Sequence, residues 1–221
     1  MHEPARLVLV RHGETVGNSS TRYYGRTDLA LSELGRRQIR AARDLLKGEH
    51  RIGRFEAVFT SPLIRAAESA RIIAGDGIAA TIIEEFAEVD FGLFEGLTAE
   101  EIRARYPAEF ERWDANRFAT DFAYPAGEGR AAFAERVARG CGRMLAQWNE
   151  IRADGDDAGT TLVVAHRGVI RVVIRELTGI LAPRIEIASI HVLEQEPGGP
   201  DLRAVRWRPV VLDLTAHLSE P

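Results

Sequence analysis

Short apolar runs separated by longer amphipathic segments set the pattern of this chain. Leu7-Val8-Leu9-Val10 and residues 160–165 lack alternation and are bounded by polar or glycine positions, which predicts strands buried on both faces and so central and parallel in a sheet. Residues 57–60 and 80–83 predict further strands, with helical periodicity around each, as in βαβ units. A helix opening near Ser32 puts Ile39, Ala42, Leu45 and Leu46 on one face, with Arg36, Arg37, Arg40 and Arg43 mainly toward solvent. Ser61-Pro62 predicts an N-cap followed by proline at the first helical position, which places Arg65 in a first turn. Thr98 and Glu101 have capping-box spacing. The aromatic-rich stretch over roughly residues 91–127 reads as an inserted helical cap, ending at Pro125 and Gly127.

Beyond the cap, Phe133, Val137, Cys141, Met144 and Trp148 recur at helical spacing and predict one stripe packed on the sheet. A polar turn over 154–159 precedes the second buried strand, and Gly179 with Pro183 closes the helix after it. Segments 188–193 and 203–214 predict a hairpin turning at 197–200. The expected architecture is α/β: a three-layer α/β/α sandwich with a mostly parallel central sheet and a helical cap, forming a single domain over residues 1–221.

Composition narrows the function classes. A hydrophobic fraction of 45% and a charged fraction of 28% are ordinary for a globular chain. The net charge of −4 supplies no general basic field, so neither nucleic acid nor an anionic membrane is expected as a partner. Any attraction for an anion must be local. Cys141 is the only cysteine, which excludes an internal disulfide and a zinc–thiolate cluster and fits a reducing, cytoplasmic setting. No stretch approaches the roughly 20 apolar residues of a membrane span, and Met1 to Arg6 show no apolar leader, so neither anchoring nor export is expected.

Two histidines carry the chemistry. Arg11-His12-Gly13-Glu14-Thr15 follows one buried strand and His166-Arg167-Gly168 follows the other, so each histidine falls at a strand's carboxyl end. Ligand crevices of open α/β sheets lie outside those ends, and neighbouring strands are about 4.8 Å apart. If the strands are neighbours, both histidines face one pocket. The glycine after each lets backbone approach a ligand, and the amides of such turns can donate to an oxyanion.

These residues resemble the histidine phosphatase superfamily (phosphoglycerate mutase-like). Arg11 to Thr15 is similar to its first motif, with Asn18 and Gly25 at the usual spacing, and Ser61-Pro62-Leu63-Ile64-Arg65-Ala66 is similar to its second arginine motif. Glu88-Val89-Asp90-Phe91-Gly92 with Glu95-Gly96 resembles the acid loop, and His166 with Gly168 the second histidine motif. The resemblance implies a metal-independent phosphatase without a cofactor, acting on phosphorylated small molecules through a phosphohistidine on His12. It implies that Arg11, Arg65 and His166 hold the phosphoryl oxygens and that Glu88 is the acid and base, with Glu14 and Asp90 as alternative acids. Asn18, Arg22, Gly25 and Gly168 are candidate substrate-binding positions, although Asn and Gly also suit any turn.

Other readings compete. Arg65 could be a surface cation paired with Glu68, and Glu88 a solvated loop carboxylate. A mutase would share the pocket, but mutases of the family carry basic and tyrosine residues directly after the acid, whereas Glu88 is followed by Val89 and Asp90. His12, His166 and Glu88 could form a two-histidine, one-carboxylate metal triad, a reading that the nearby arginines oppose electrostatically. A phospho-ligand binding module without turnover is the non-enzymatic alternative. The chain departs from the family at Ala165, Arg167, Gly129 and Asp213-Leu214, where Arg167 either points away or contacts a second anionic group. His217 is expected in a core or interface role and not in catalysis, and the terminal hairpin leaves an edge through which an oligomer could pair.

Overall fold

A computed structural model describes residues 4–48, 52–153, 159–182, 184–196, 201 and 206–218. The expected turns at 154–158 and 197–200, together with Pro183, His2 and His50, lie outside the described residues. Strands β1 (Arg6–Arg11), β2 (Ala57–Thr60), β3 (Thr81–Ile82), β4 (Thr160–Ala165), β5 (Ile190–Gln195) and β6 (Trp207–Leu214) form one sheet in the order β3-β2-β4-β1-β5-β6. Pairings β3–β2, β2–β4 and β4–β1 are parallel, while β5 and β6 extend the sheet antiparallel, so the sheet is mixed with a parallel centre.

Alternation along the central strands explains their unbroken apolar runs. Leu7 and Leu9 of β1 face one layer, built on helices α5 (Arg130–Ala153) and α6 (Arg167–Thr178), and Val8 and Val10 face the other, built on α1 (Glu33–Gly48) and α2 (Ile64–Ala74). The stripe Phe133, Val137, Cys141, Met144 and Trp148 is buried as expected, with the Trp148 ring 5.7 Å from that of Trp207. Gly179 closes α6 with φ of 72°, a left-handed conformation that favours glycine.

Residues 84–129 depart from the sheet. Helices α3 (Ala99–Arg105) and α4 (Pro107–Ala115) enclose a separate apolar cluster of Phe94, Ile102, Phe110, Trp113 and Phe122, in which the aromatic rings meet mostly edge to face. Thr98 forms the expected capping box with Glu101 at the start of α3. Phe118 is 95% exposed, so it packs neither cap nor body.

The N-cap expectation at Ser61 fails. α2 begins at Ile64, one residue after Leu63, and the Ser61 hydroxyl is turned toward His166 instead. Arg65 nevertheless falls in the first turn of α2. Among the described residues, no helix is long and apolar enough to cross a membrane.

Trp148→Ala is expected to lower the unfolding free energy by about 3–5 kcal/mol, because a fully buried indole is replaced by a cavity. Urea unfolding checks this, and a loss under about 1 kcal/mol would contradict the packing described.

Candidate active site

Parallel pairing places Arg11 opposite Ala165, so the next residue of each strand, His12 and His166, leaves the sheet at the same level. The His12 N–H donates to the Ala165 carbonyl at 3.1 Å, and the two imidazole centroids lie 5.1 Å apart. Both rings are buried, His12 being 4% and His166 0% exposed.

The hydrogen bond of His12 settles its tautomer. Nδ1 lies 2.7 Å from the Gly13 carbonyl oxygen, which only accepts, so Nδ1 carries the proton and Nε2 keeps its lone pair. Burial first, then the charges of Arg65 and Arg11, hold the pKa of His12 well below the ordinary histidine value. It is therefore a neutral imidazole at pH 7. His166 is lowered likewise, by burial and then Arg65, His12 and Arg11. Its Nε2 sits 2.7 Å from Ser61 Oγ, which also accepts the Leu63 N–H, while its Nδ1 is buried without a partner among the described residues.

Arg65 is completely buried and its guanidinium is oriented by backbone carbonyls. It donates to Thr27 O and Gly25 O, each at 2.8 Å, and more weakly to Tyr24 O at 3.4 Å. The reading of Arg65 as a partner of Glu68 gives way here, since Glu68 pairs with Arg36 at 2.7 Å. Arg11 donates from Nη1 to Ile185 O at 3.0 Å. Burial, then the neighbouring charge of Arg167, pushes Arg11 down to about 9, which leaves it charged at neutral pH. The Nε–H groups of both arginines are obligatory donors, and both are buried without an acceptor among the described residues.

Glu88 is not a solvated loop carboxylate. It is 6% exposed, with Oε1 accepting the Val89 N–H at 2.9 Å and Oε2 the Gly168 N–H at 3.0 Å. A Cβ at position 168 would collide with Glu88 Oε1 and come within 2.9 Å of the Phe133 ring, so glycine is what permits this bond. Arg136 braces the same loop, donating to Glu85 O at 2.7 Å and Ala87 O at 2.9 Å while holding the Glu128 carboxylate.

The loop after β1 is folded by Glu95, whose carboxylate accepts the N–H groups of Gly25, Arg26 and Thr27 and the Thr27 hydroxyl. This turns the carbonyls of Gly25 and Thr27 toward Arg65, and any side chain at position 25 would strike the Val89 carbonyl. Asn18 is an exposed turn residue with φ of 61°, and its carbonyl accepts from Thr21 and Arg22. Arg22 is engaged elsewhere, in a bidentate pair with Glu101 at 2.6 and 2.9 Å and a bond to Gly96 O.

Of the alternative acids, Glu14 accepts from Thr15, Ser19 and Ser20; burial opposes its charge, but the bonds from Ser20 and Ser19 outweigh it and lower its pKa. Asp90 accepts the Gly92 N–H at 2.8 Å. Sequence reasoning assigned no role to Arg136 or Glu95 and gave Ser61 the wrong one. None of the three leaves a periodic signal, because each acts on partners far along the chain.

A neutral, buried imidazole beside a second one, with cationic donors lacking acceptors around them, defines a site built to take an oxyanion. The chain belongs to the histidine phosphatase superfamily (branch 1), whose family model matches residues 7–208. A bifunctional protein of Mycobacterium tuberculosis is 34% identical over 198 residues, covering 86% of this chain and 50% of that protein, so this chain spans about half the length of such relatives. Phosphoserine phosphatase 1 of Hydrogenobacter thermophilus is 30% identical, over 97% of this chain and 95% of its own. The solved structure of mycobacterial glucosyl-3-phosphoglycerate phosphatase is 29% identical, with a TM-score of 0.76 over 95% of this chain and 98% of that one.

Stability should fall as pH drops from about 6.5 toward 5. His12, His166, His191 (pushed down to about 4, chiefly by burial) and His217 are all lowered in the folded state. The unfolded chain therefore binds protons at about 6.5 that the folded chain refuses. Each such histidine costs up to about 1.4 kcal/mol per pH unit below 6.5, until its folded pKa is reached. Denaturant melts at pH 7.5, 6.5 and 5.5 test this, and a flat profile would contradict it.

Proposed function

We propose that this protein hydrolyses phosphate monoesters of small molecules through a covalent phosphohistidine on His12. The observation that carries the reading is a set of buried nitrogens, Arg11 Nε, Arg65 Nε and His166 Nδ1, that lack acceptors and surround an imidazole held neutral. Unmet buried donors are costly, and a phosphoryl group supplies acceptors to all of them at once.

The reaction follows from the positions. Nε2 of His12 attacks phosphorus as the bond to the ester oxygen breaks, while Arg11, Arg65 and His166 bind the remaining phosphoryl oxygens. Protonated Glu88 gives its proton to the departing alkoxide. Water then attacks the phosphohistidine, Glu88 takes a proton from it, the N–P bond breaks, and neutral His12 returns with release of phosphate. Arg65 and Arg11 serve twice, binding the phosphoryl charge and opposing protonation of the nucleophile.

In this reading Gly168 and Gly25 act through their backbones, one anchoring Glu88 and the other orienting Arg65. Arg22 holds the loop after β1 against α3 by its pair with Glu101, and Asn18 shapes the turn before it. The cap, residues 91–127, selects the leaving group within a single unit. Retention of the phosphoryl group for a mutase reaction has no specific support in the geometry.

His12→Ala should reduce phosphate release from a panel of phosphometabolites by at least about 1,000-fold, and acid-avoiding mass spectrometry of the wild type should show an acid-labile adduct on His12. Turnover by His12→Ala at the wild-type rate would end the proposal. Glu88→Gln should cost about 100- to 10,000-fold with alkyl esters and less with esters of good leaving groups, the mark of a lost general acid. Gly168→Ala is expected to cost about 100-fold by displacing Glu88 without removing it, and activity within a factor of two would contradict the role given to that contact.

A further inference from the structure

Positive charge at this site exceeds what one phosphoryl group can use. Arg11 and Arg65 already face the dianion, yet α6 adds Arg167 and Arg171, both exposed at the surface, and among the described residues neither makes an ion pair or hydrogen bond. Arg167 stands between His166, whose ring lies 5.1 Å from that of His12, and Gly168, whose N–H donates to Glu88, and Arg171 follows one turn along α6, so the pair lies beside the acid, and the charge of Arg167 acts on Arg11.

Three features make the placement unfavourable by itself. Arg167 is the first residue of α6, where the helix dipole disfavours a cation. Arg167 and Arg171 are four residues apart, so like charges lie on one face. No acidic residue stands in the first turn to offset them. Arg22, Arg36 and Arg136, by contrast, each have a carboxylate partner. A cation pair left unmatched next to the acid is matched when ligand brings the charge.

We propose that Arg167 and Arg171 form a subsite for a second oxyanion, a carboxylate or a second phosphate, carried on the leaving-group side of the substrate. The preferred substrates are then phosphate monoesters of acidic alcohols. Glu88, the group that meets the leaving oxygen, is held by the Gly168 N–H next to Arg167, and the half-buried Tyr23 and Tyr124 pack edge-on against Phe91. The assignment rests on the phosphatase reading, because it takes the position of the leaving group from it.

The test compares phenyl phosphate with its 4-carboxy and 4-phosphate derivatives. Wild type should favour both charged esters, and Arg167→Ala should lower the charged-to-neutral ratio of kcat/KM about tenfold, which corresponds to about 1.4 kcal/mol. Arg167→Glu should lower it further and Arg167→Lys should keep most of it. Taking the ratio between variants cancels differences in leaving-group acidity among the esters. A response confined to one charged ester identifies which oxyanion the subsite takes. An unchanged ratio in Arg167→Ala, Arg167→Glu and Arg171→Gln overturns the inference while leaving the phosphatase reading intact. Absence of all turnover overturns the phosphatase reading alone, because calorimetric binding of the same esters to His12→Ala, with and without Arg167→Ala, still reports the second-oxyanion preference. Equal affinities there sink the subsite as well.

Discussion

The parallel pairing of β1 with β4 is the constraint from which the site follows. Two strands in this register leave the sheet side by side, so residues far apart in the chain, His12 and His166, meet with ring centroids at 5.1 Å. The spacing comes from the ladder and not from attraction between imidazoles, which as cations would repel. A register slip of one residue would turn one ring to the opposite face of the sheet. The buried apolar side chains on both faces of β1 and β4 oppose such a slip, so the core that stabilises the fold also sets the distance on which the chemistry depends.

Burying two guanidinium groups next to these rings is costly, and the structure offsets the cost with backbone carbonyls in place of carboxylates. Arg65 is held by Gly25 and Thr27, and Arg11 by Ile185. A carboxylate partner would neutralise the charge that an oxyanion needs, whereas a carbonyl orients the group and leaves its charge in place. The carboxylate that organises this region, Glu95, binds amide N–H groups of the loop and so controls Arg65 through the loop's carbonyls. Positive potential is kept where the imidazole needs protection from protonation.

Much of this was legible in the sequence because it depends on local pattern. Unbroken apolar runs marked β1 and β4, the five-residue stripe marked α5, and Thr98 with Glu101 marked the cap helix α3. What escaped was long-range. Ser61 has the local look of an N-cap, but it bonds His166, which is distant in sequence and adjacent only because β2 pairs with β4. Arg136 belongs to a helix read for its apolar stripe, so its polar face carried no signal until Glu85, Ala87 and Glu128 were folded around it. Arg22 looked like a pocket residue from its place in the first motif's loop. Its engagement with Glu101 depends on the isolated bridge between residues 22 and 98, which no periodicity announces.

The acid and the second histidine are tied to one junction. His166 links β4 to α6, Gly168 is the second residue of α6, and the Gly168 N–H donates to Glu88 while the imidazole two residues earlier faces His12. A displacement of α6 therefore disturbs both contacts at once, which in the proposed reaction belong to the histidine that binds the phosphoryl group and to the acid. The same junction carries Arg167, so a charged group bound there would pull on the element that sets both. Under the proposed reading, substrate recognition and placement of the acid share this junction, where a glycine lets a carboxylate reach an amide in the first turn of a helix. A methyl group at position 168 would therefore have to displace the Glu88 carboxylate and the Phe133 ring, moving the one carboxylate that this junction holds in place.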